Sequence, residues 1–309
     1  MVAVGGGATV PIMDVRPTPF GELLTAAITP FTPEGAVDYE AFWRLLRHLA
    51  DTGSDGVVVA GTTGESPTLT ADEKVALFAT AVDAIGSRCH VVAGTGTYNT
   101  AESVELTERA AAAGCGAVMA VTPYYSKPPQ EGLYRHFVAI AEASELPVLL
   151  YNIPGRTARL IEVETLVRLA AHPGIVAVKD AVDDIAFTRR SLAVLPPGFA
   201  VYSGSDAMTF EVVSAGGAGV VSVASHLVGP QVKRLVQAAR RGDEGLARKI
   251  DDALSPLYAA LFVEPNPMPV KAAMNRWWGP VGEPRLPLIP AADDTLAAIE
   301  VALEAAAAA

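Results

Sequence analysis

Cysteine is scarce: the 309 residues contain two, Cys89 and Cys115, too few for a disulfide framework and not spaced as a C-x-x-C pair. That excludes a cross-linked secreted scaffold and a thioredoxin-type redox centre, and it suits a reducing compartment. Charge is sparse too, 18% of the chain, with 34 acidic against 23 basic residues and a formal net charge of −11. Such a field repels phosphate backbones and anionic bilayers, so no nucleic acid and no membrane is expected as a partner. No apolar run reaches the ~18 residues of a membrane span without a charge or a breaker. The first residues lack the basic start and continuous apolar segment of a secretory signal, so the expected location is cytoplasmic.

Metal and nucleotide signatures are missing as well. His48, His90, His136, His172 and His226 are scattered without a ligand spacing, so no metal is expected. GTGTYN at 94–99 falls short of the dinucleotide fingerprint, and AGTTGES at 60–66 lacks the Gly-Lys-Ser/Thr ending of a phosphate loop. No cofactor is expected.

What the chain does have is apolar residues, 50% of the total, in a repeating order. Short runs rich in Val, Ala and Ile alternate with stretches of helical periodicity. Eight such runs are predicted as strands: 23–31, 55–63, 90–96, 117–125, 147–154, 175–181, 199–206 and 219–225. Between the first two, Phe42, Leu45, Leu46 and Leu49 form one apolar helix face. Eight strands with two apolar faces are best hidden in a closed barrel, so the fold class is α/β, a (β/α)8 TIM barrel with a C-terminal helical appendage. Residues 1–20, rich in Gly and Pro, read as a flexible N-terminal extension, 21–240 as the barrel and 241–309 as the C-terminal helical region.

In such a barrel the C-terminal strand ends share one rim, and chemistry collects there. One lysine stands on that rim, Lys179 in VAVKDA (176–181), among hydroxyl side chains. An amine at an apolar barrel mouth loses hydration, its pKa falls, and it becomes a nucleophile toward ketones, forming an iminium that stabilises a neighbouring carbanion. Tyr151, at the end of the adjacent strand, is the candidate general acid and base. Thr62 and Thr63 are candidates for holding one small carboxylate and Arg156 for another, which describes a site for small keto acids. Each residue also has a plainer reading. The alternatives are a Lys179 paired with Asp180 or Asp206 to fix a strand end, Thr62 and Thr63 as helix caps, Glu65 as the cap of a turn, and tyrosines that pack the rim.

Six segments, AGTTGES (60–66), VTPYYSKPPQEGLYRHF (121–137), LLYNIPGRT (149–157), VAVKDA (176–181), YSGSD (202–206) and LFVEPNPMPVK (261–271), resemble the dihydrodipicolinate synthase branch of the pyruvate-dependent class I aldolase and N-acetylneuraminate lyase superfamily. The resemblance implies a Schiff base between Lys179 and pyruvate, whose enamine attacks L-aspartate 4-semialdehyde to give 4-hydroxy-tetrahydrodipicolinate on the way to diaminopimelate and lysine. It implies a proton relay of Tyr151, Thr63 and Tyr125, the last reaching into a neighbouring subunit's site, and hence a homo-oligomer, a dimer of dimers. It further implies that Thr62 and Thr63 hold the pyruvate carboxylate, Arg156 the semialdehyde carboxylate, and that Gly204 and Val221 line the site through their carbonyls.

Two other readings stay open: another Schiff-base 2-keto acid aldolase, lyase or dehydratase, and a non-catalytic keto-acid-binding barrel. Three positions depart from the family pattern. Ser205 stands where a first aspartate is common, and Ser225-His226 replaces a loop ending in asparagine. Ala71, Lys74 and Tyr98 replace the His, His and Asn of lysine-inhibited relatives, so weak or absent feedback inhibition by lysine is expected.

Overall fold

The computed structural model describes residues 16–307. Eight parallel strands close into a barrel in sequence order, β8 pairing back onto β1. They are β1 Leu23–Ala26, β2 Gly56–Val59, β3 His90–Gly94, β4 Ala117–Val121, β5 Val148–Asn152, β6 Ile175–Asp180, β7 Ala200–Ser203 and β8 Gly219–Ser222. The surrounding helices are α1 Tyr39–Asp51, α2 Ala71–Ile85, α3 Thr100–Ala112, α4 Gln130–Glu142, a single turn α5 Pro154–Thr157, α6 Val163–Ala170, α7 Ile185–Val194, α8 Thr209–Ser214 and α9 Ser225–Arg240. Three more follow the barrel: α10 Glu244–Ala260, α11 Met268–Trp277 and α12 Asp293–Ala306.

All eight predicted strands are present, each shorter than its apolar run. The last residues of every run leave the ladder and form the rim loops.

Local chemistry sets the helix starts. Asp38 accepts from Ala41 N–H at 2.9 Å to cap α1, and Thr70 with Glu73 forms a reciprocal capping box on α2, so the orphan first-turn donors are satisfied. Thr62 and Thr63 cap neither helix. On α1 the expected face of Phe42, Leu45, Leu46 and Leu49 is buried.

Strand alternation divides the core into two layers. Leu24, Val58, Val92, Met119, Leu149, Ala177 and Val221 point into the barrel, whereas Leu23, Val57, Val91, Val118, Leu150, Val178 and Val220 pack under the helices. Val270, Ala273 and Met274 of α11 and Ile299 of α12 belong to that same outer layer, so the C-terminal helices share the barrel's core. No helix among the described residues is long and apolar enough to cross a membrane.

The expected N-terminal extension lies mostly outside the described residues. Its last five residues, Arg16 to Phe20, are docked rather than loose. Arg16 donates to the carbonyls of Leu192, Pro196 and Phe199 at 2.6–2.7 Å. Phe20 is buried and stacks on Tyr202 at 6.3 Å, and the Tyr202 hydroxyl donates to Gly21 O at 2.9 Å. An aromatic plug thus closes the floor of the barrel, leaving the opposite rim open.

Candidate active site

Period-two alternation delivers the lysine to the interior. Ala177 faces inward and Val178 outward, so Lys179 faces inward and Asp180 outward. Asp180 is fully engaged on the helix side, with Oδ2 accepting from Thr188 Oγ1 at 2.7 Å and Oδ1 from Val182 N–H at 3.1 Å. It is therefore not the lysine's counter-ion. Asp206 is occupied too: Oδ1 accepts from Ser222 Oγ at 2.5 Å, and Oδ2 from the N–H groups of Val223 and Ala224 at 2.9 and 3.0 Å. Among the described residues no carboxylate oxygen lies within 4.0 Å of Lys179 Nζ.

The ammonium nitrogen instead sits 4.2 Å from the centroid of the Tyr151 ring. Tyr151 is its register neighbour across the β5–β6 pair. Burial pulls the Lys179 amine down to about 8, with Asp206 opposing and Arg156 adding to the fall. Burial pushes the Tyr151 phenol up to about 12, opposed by Arg156 and the Thr62 hydroxyl. The pair is thus an amine that deprotonates readily beside a phenol that keeps its proton.

Thr62 and Thr63 come from the loop after β2. Thr63 is buried and its Oγ1 accepts from Asn266 Nδ2 at 3.0 Å. The loop is bracketed by two non-glycine residues in the left-handed region, Ala60 at φ 54° and Glu65 at φ 56°. Gly204 abuts the lysine: a Cβ there would lie 2.7 Å from Ala181 Cβ and 3.0 Å from Lys179 Cγ. Glycine is what lets the β7 end approach the nucleophile.

These pieces line one cavity of about 520 Å³: Thr62, Thr63, Tyr151, Arg156, Lys179 and Gly204. A second cavity of about 220 Å³ shares Thr62, Tyr151 and Arg156 and extends to Tyr124 and Ser66. Two sequence-predicted residues are not among those lining the larger cavity. Val221 lies in the barrel interior opposite Leu24. Tyr125, at φ 68°, is 93% exposed on this chain.

The departures at Ser205 and His226 have separate outcomes. Ser205 lines the cavity. His226 is buried, with Nε2 accepting from Ile28 N–H at 3.2 Å and Nδ1 2.8 Å from Val223 O, and burial pulls its pKa down to about 4. It is a neutral Nδ1–H imidazole that pins the end of β1 to the start of α9, and it has no place in the cavity.

Sequence reasoning missed two participants. Asn266 stands in the quoted LFVEPNPMPVK segment, yet nothing local indicates that it reaches a threonine some 200 residues earlier in the chain. Glu65, read as a possible turn cap, instead forms a buried ion pair with Lys271 at 2.7 Å.

A parallel (β/α)8 barrel with an unpaired, desolvated lysine beside a phenol and a hydroxyl-lined loop defines a class I aldolase-type, imine-forming lyase. The comparisons agree. Residues 19–306 match the model of the dihydrodipicolinate synthetase family, to which the chain belongs. It is 49% identical over 285 residues to the 4-hydroxy-tetrahydrodipicolinate synthase of Heliobacterium modesticaldum, covering 92% of this chain and 95% of that protein. With the namesake of Synechococcus elongatus it shares 50% over 277 residues, 89% of this chain and 93% of that protein. Among solved structures, DHDPS from Cyanidioschyzon merolae with lysine bound aligns with a TM-score of 0.92 at 43% identity, covering 94% of this chain and 99% of that one. A structure described as the first monomeric dihydrodipicolinate synthase variant aligns at 0.90 and 37% identity, covering 96% of this chain and 98% of that one.

Proposed function

We propose that this chain joins pyruvate to L-aspartate 4-semialdehyde through an imine on Lys179, giving 4-hydroxy-tetrahydrodipicolinate. The observation that carries the reading is the desolvated, unpaired amine beside the Tyr151 ring in a cavity sized for small acids. With a pKa near 8, roughly a quarter of the amine is neutral at about pH 7.5, against about one part in a thousand for an ordinary lysine.

The free amine attacks the pyruvate carbonyl carbon, forming a carbinolamine that loses water to leave the iminium. Loss of a methyl proton then gives the enamine, and its carbon attacks the aldehyde. Each step moves a proton, and Tyr151 is the group placed to carry it, with the Thr62 hydroxyl, which acts on the phenol, next in line and Thr63, held by Asn266, behind it. The hydroxyl and N–H groups of Thr62 and Thr63 take the pyruvate carboxylate. Arg156, exposed at the mouth, takes the second carboxylate by its bidentate fork. Gly204 contributes a carbonyl. Tyr125 completes the relay from a second copy of the chain, which fits a bulky aromatic ring left in solvent and held in a strained backbone. On that reading the working unit is at least a dimer.

The test is turnover of pyruvate and the semialdehyde coupled to the downstream reductase, read as NAD(P)H consumption. Product formation dependent on both substrates is expected, with Arg156→Ala raising the KM for the semialdehyde far more than that for pyruvate. Turnover of other 2-keto acid partners in preference to the semialdehyde would overturn the assignment.

A further inference from the structure

AGTTGES at 60–66 and LFVEPNPMPVK at 261–271 meet through a buried ion pair that the chemistry above does not use. Lys271 Nζ donates to Glu65 Oε1 at 2.7 Å, and both side chains are 1% exposed. Every polar need is met. Lys271 also donates to Glu283 O at 3.2 Å and lies 4.1 Å from the Phe31 ring centroid, while Glu65 Oε2 accepts from Arg285 N–H at 2.8 Å. A buried pair of this kind gives a fold little that well-packed apolar residues would not. What it holds in place is therefore informative.

It holds a strained loop. Ala60 and Glu65, both at positive φ, flank Gly61, Thr62, Thr63 and Gly64, and non-glycine residues stay in that region only where their surroundings over-determine them. Further restraints converge on the same loop: Asn266 Nδ2 on Thr63 Oγ1 at 3.0 Å, and Thr29 Oγ1 on Gly64 O at 2.7 Å. Next to Thr63, the Thr62 hydroxyl acts on the Tyr151 phenol and opposes the rise of its pKa. The clamp comes from the segment after the barrel, which also supplies Asn266.

We propose that Glu65 and Lys271 are positioning residues for the proton relay: the ion pair fixes the Thr62–Thr63 loop so that the Thr62 hydroxyl stays on the Tyr151 phenol. Neither residue touches substrate. The inference rests on the imine reading given above and adds that the C-terminal helices belong to the catalytic apparatus.

Single substitutions leave a buried charge unpaired and endanger folding, so the informative variant removes both charges, Glu65→Gln with Lys271→Met, alone and combined with Thr62→Val. The measurements are thermal unfolding, borohydride trapping of pyruvate on Lys179, and kcat and KM for both substrates. The expected result is a cooperatively folded double variant that still traps pyruvate at saturating concentration, with kcat lowered about 10²-fold and the KM for the semialdehyde, whose carboxylate is held by Arg156 outside the loop, changed far less. In the Thr62→Val background the same pair of changes is expected to cost less than about threefold, because the group it positions is gone. A folded double variant with kcat within about threefold of the parent, or an undiminished loss in the Thr62→Val background, would overturn the proposal. Failure of the parent protein to trap pyruvate would overturn the imine reading itself, and the proposal with it.

Discussion

Replacing Lys179 by methionine should abolish turnover and at the same time stabilise the fold. The amine is buried without a counter-ion, and its pKa falls from 10.5 to about 8. The sign follows from proton uptake. Between these two values the unfolded chain binds the proton and the folded chain does not, so stability rises with pH across that window and is lowest below it. Each pKa unit is worth about 1.4 kcal/mol, so at neutral pH the charged lysine costs the native state about 3 kcal/mol. Methionine fills a similar volume without charge and removes that cost. For a chain of this size the gain corresponds to roughly 5 to 10 °C in Tm at pH 7. Denaturant or thermal unfolding of both proteins, at pH 7 and again near pH 10, measures it. The expected gap is large at the lower pH and shrinks at the higher. A methionine variant less stable than the parent, or a gap that does not change with pH, would refute the reasoning by showing that the lysine is compensated.

Other outcomes follow from the same geometry. Thr62→Val removes the hydroxyl that acts on the Tyr151 phenol, and kcat should fall on the order of 10²-fold with pyruvate trapping retained. Gly204→Ala forces a methyl onto Lys179 and Ala181 and should destabilise by about 1–3 kcal/mol while lowering the yield of trapped imine; calorimetry and mass spectrometry read the two effects. Mixing the slow Tyr125→Phe and inactive Lys179→Met proteins should restore activity, because a hybrid dimer holds one site with an intact lysine and a partner tyrosine; no recovery after subunit exchange would mean that Tyr125 does not act across subunits. Lysine binding should be weak, because Lys74, buried close enough to Glu102 to feel its charge, places a cation where lysine-inhibited relatives have histidine; a micromolar Kd by titration calorimetry would contradict this.

The barrel was legible because parallel strands covered on both faces read as uninterrupted Val and Ala runs, and nothing else in the chain imitates them. Their ends were not, since Thr62, Tyr124 and Ser205 sit in β-like stretches but have already left the ladder. Lys179 was legible for the complementary reason that one charge interrupts such a run. The docking of Arg16 and Phe20 was hidden by a Gly- and Pro-rich composition that ordinarily signals a free segment, whereas two side chains decide the matter. The Glu65–Lys271 pair and the Asn266 contact join residues about two hundred positions apart, and local periodicity carries no information at that range. His226 could be recognised as a departure, but its role as a neutral strap required the Ile28 and Val223 contacts.

The central claim is that one buried amine becomes an imine. Incubation with pyruvate, reduction with borohydride and peptide mapping test it most directly: the account predicts a single reduced adduct on the peptide carrying Lys179, absent from Lys179→Met. A protein that turns over its substrates while the adduct is missing, or falls on another lysine such as Lys74 or Lys271, would contradict it.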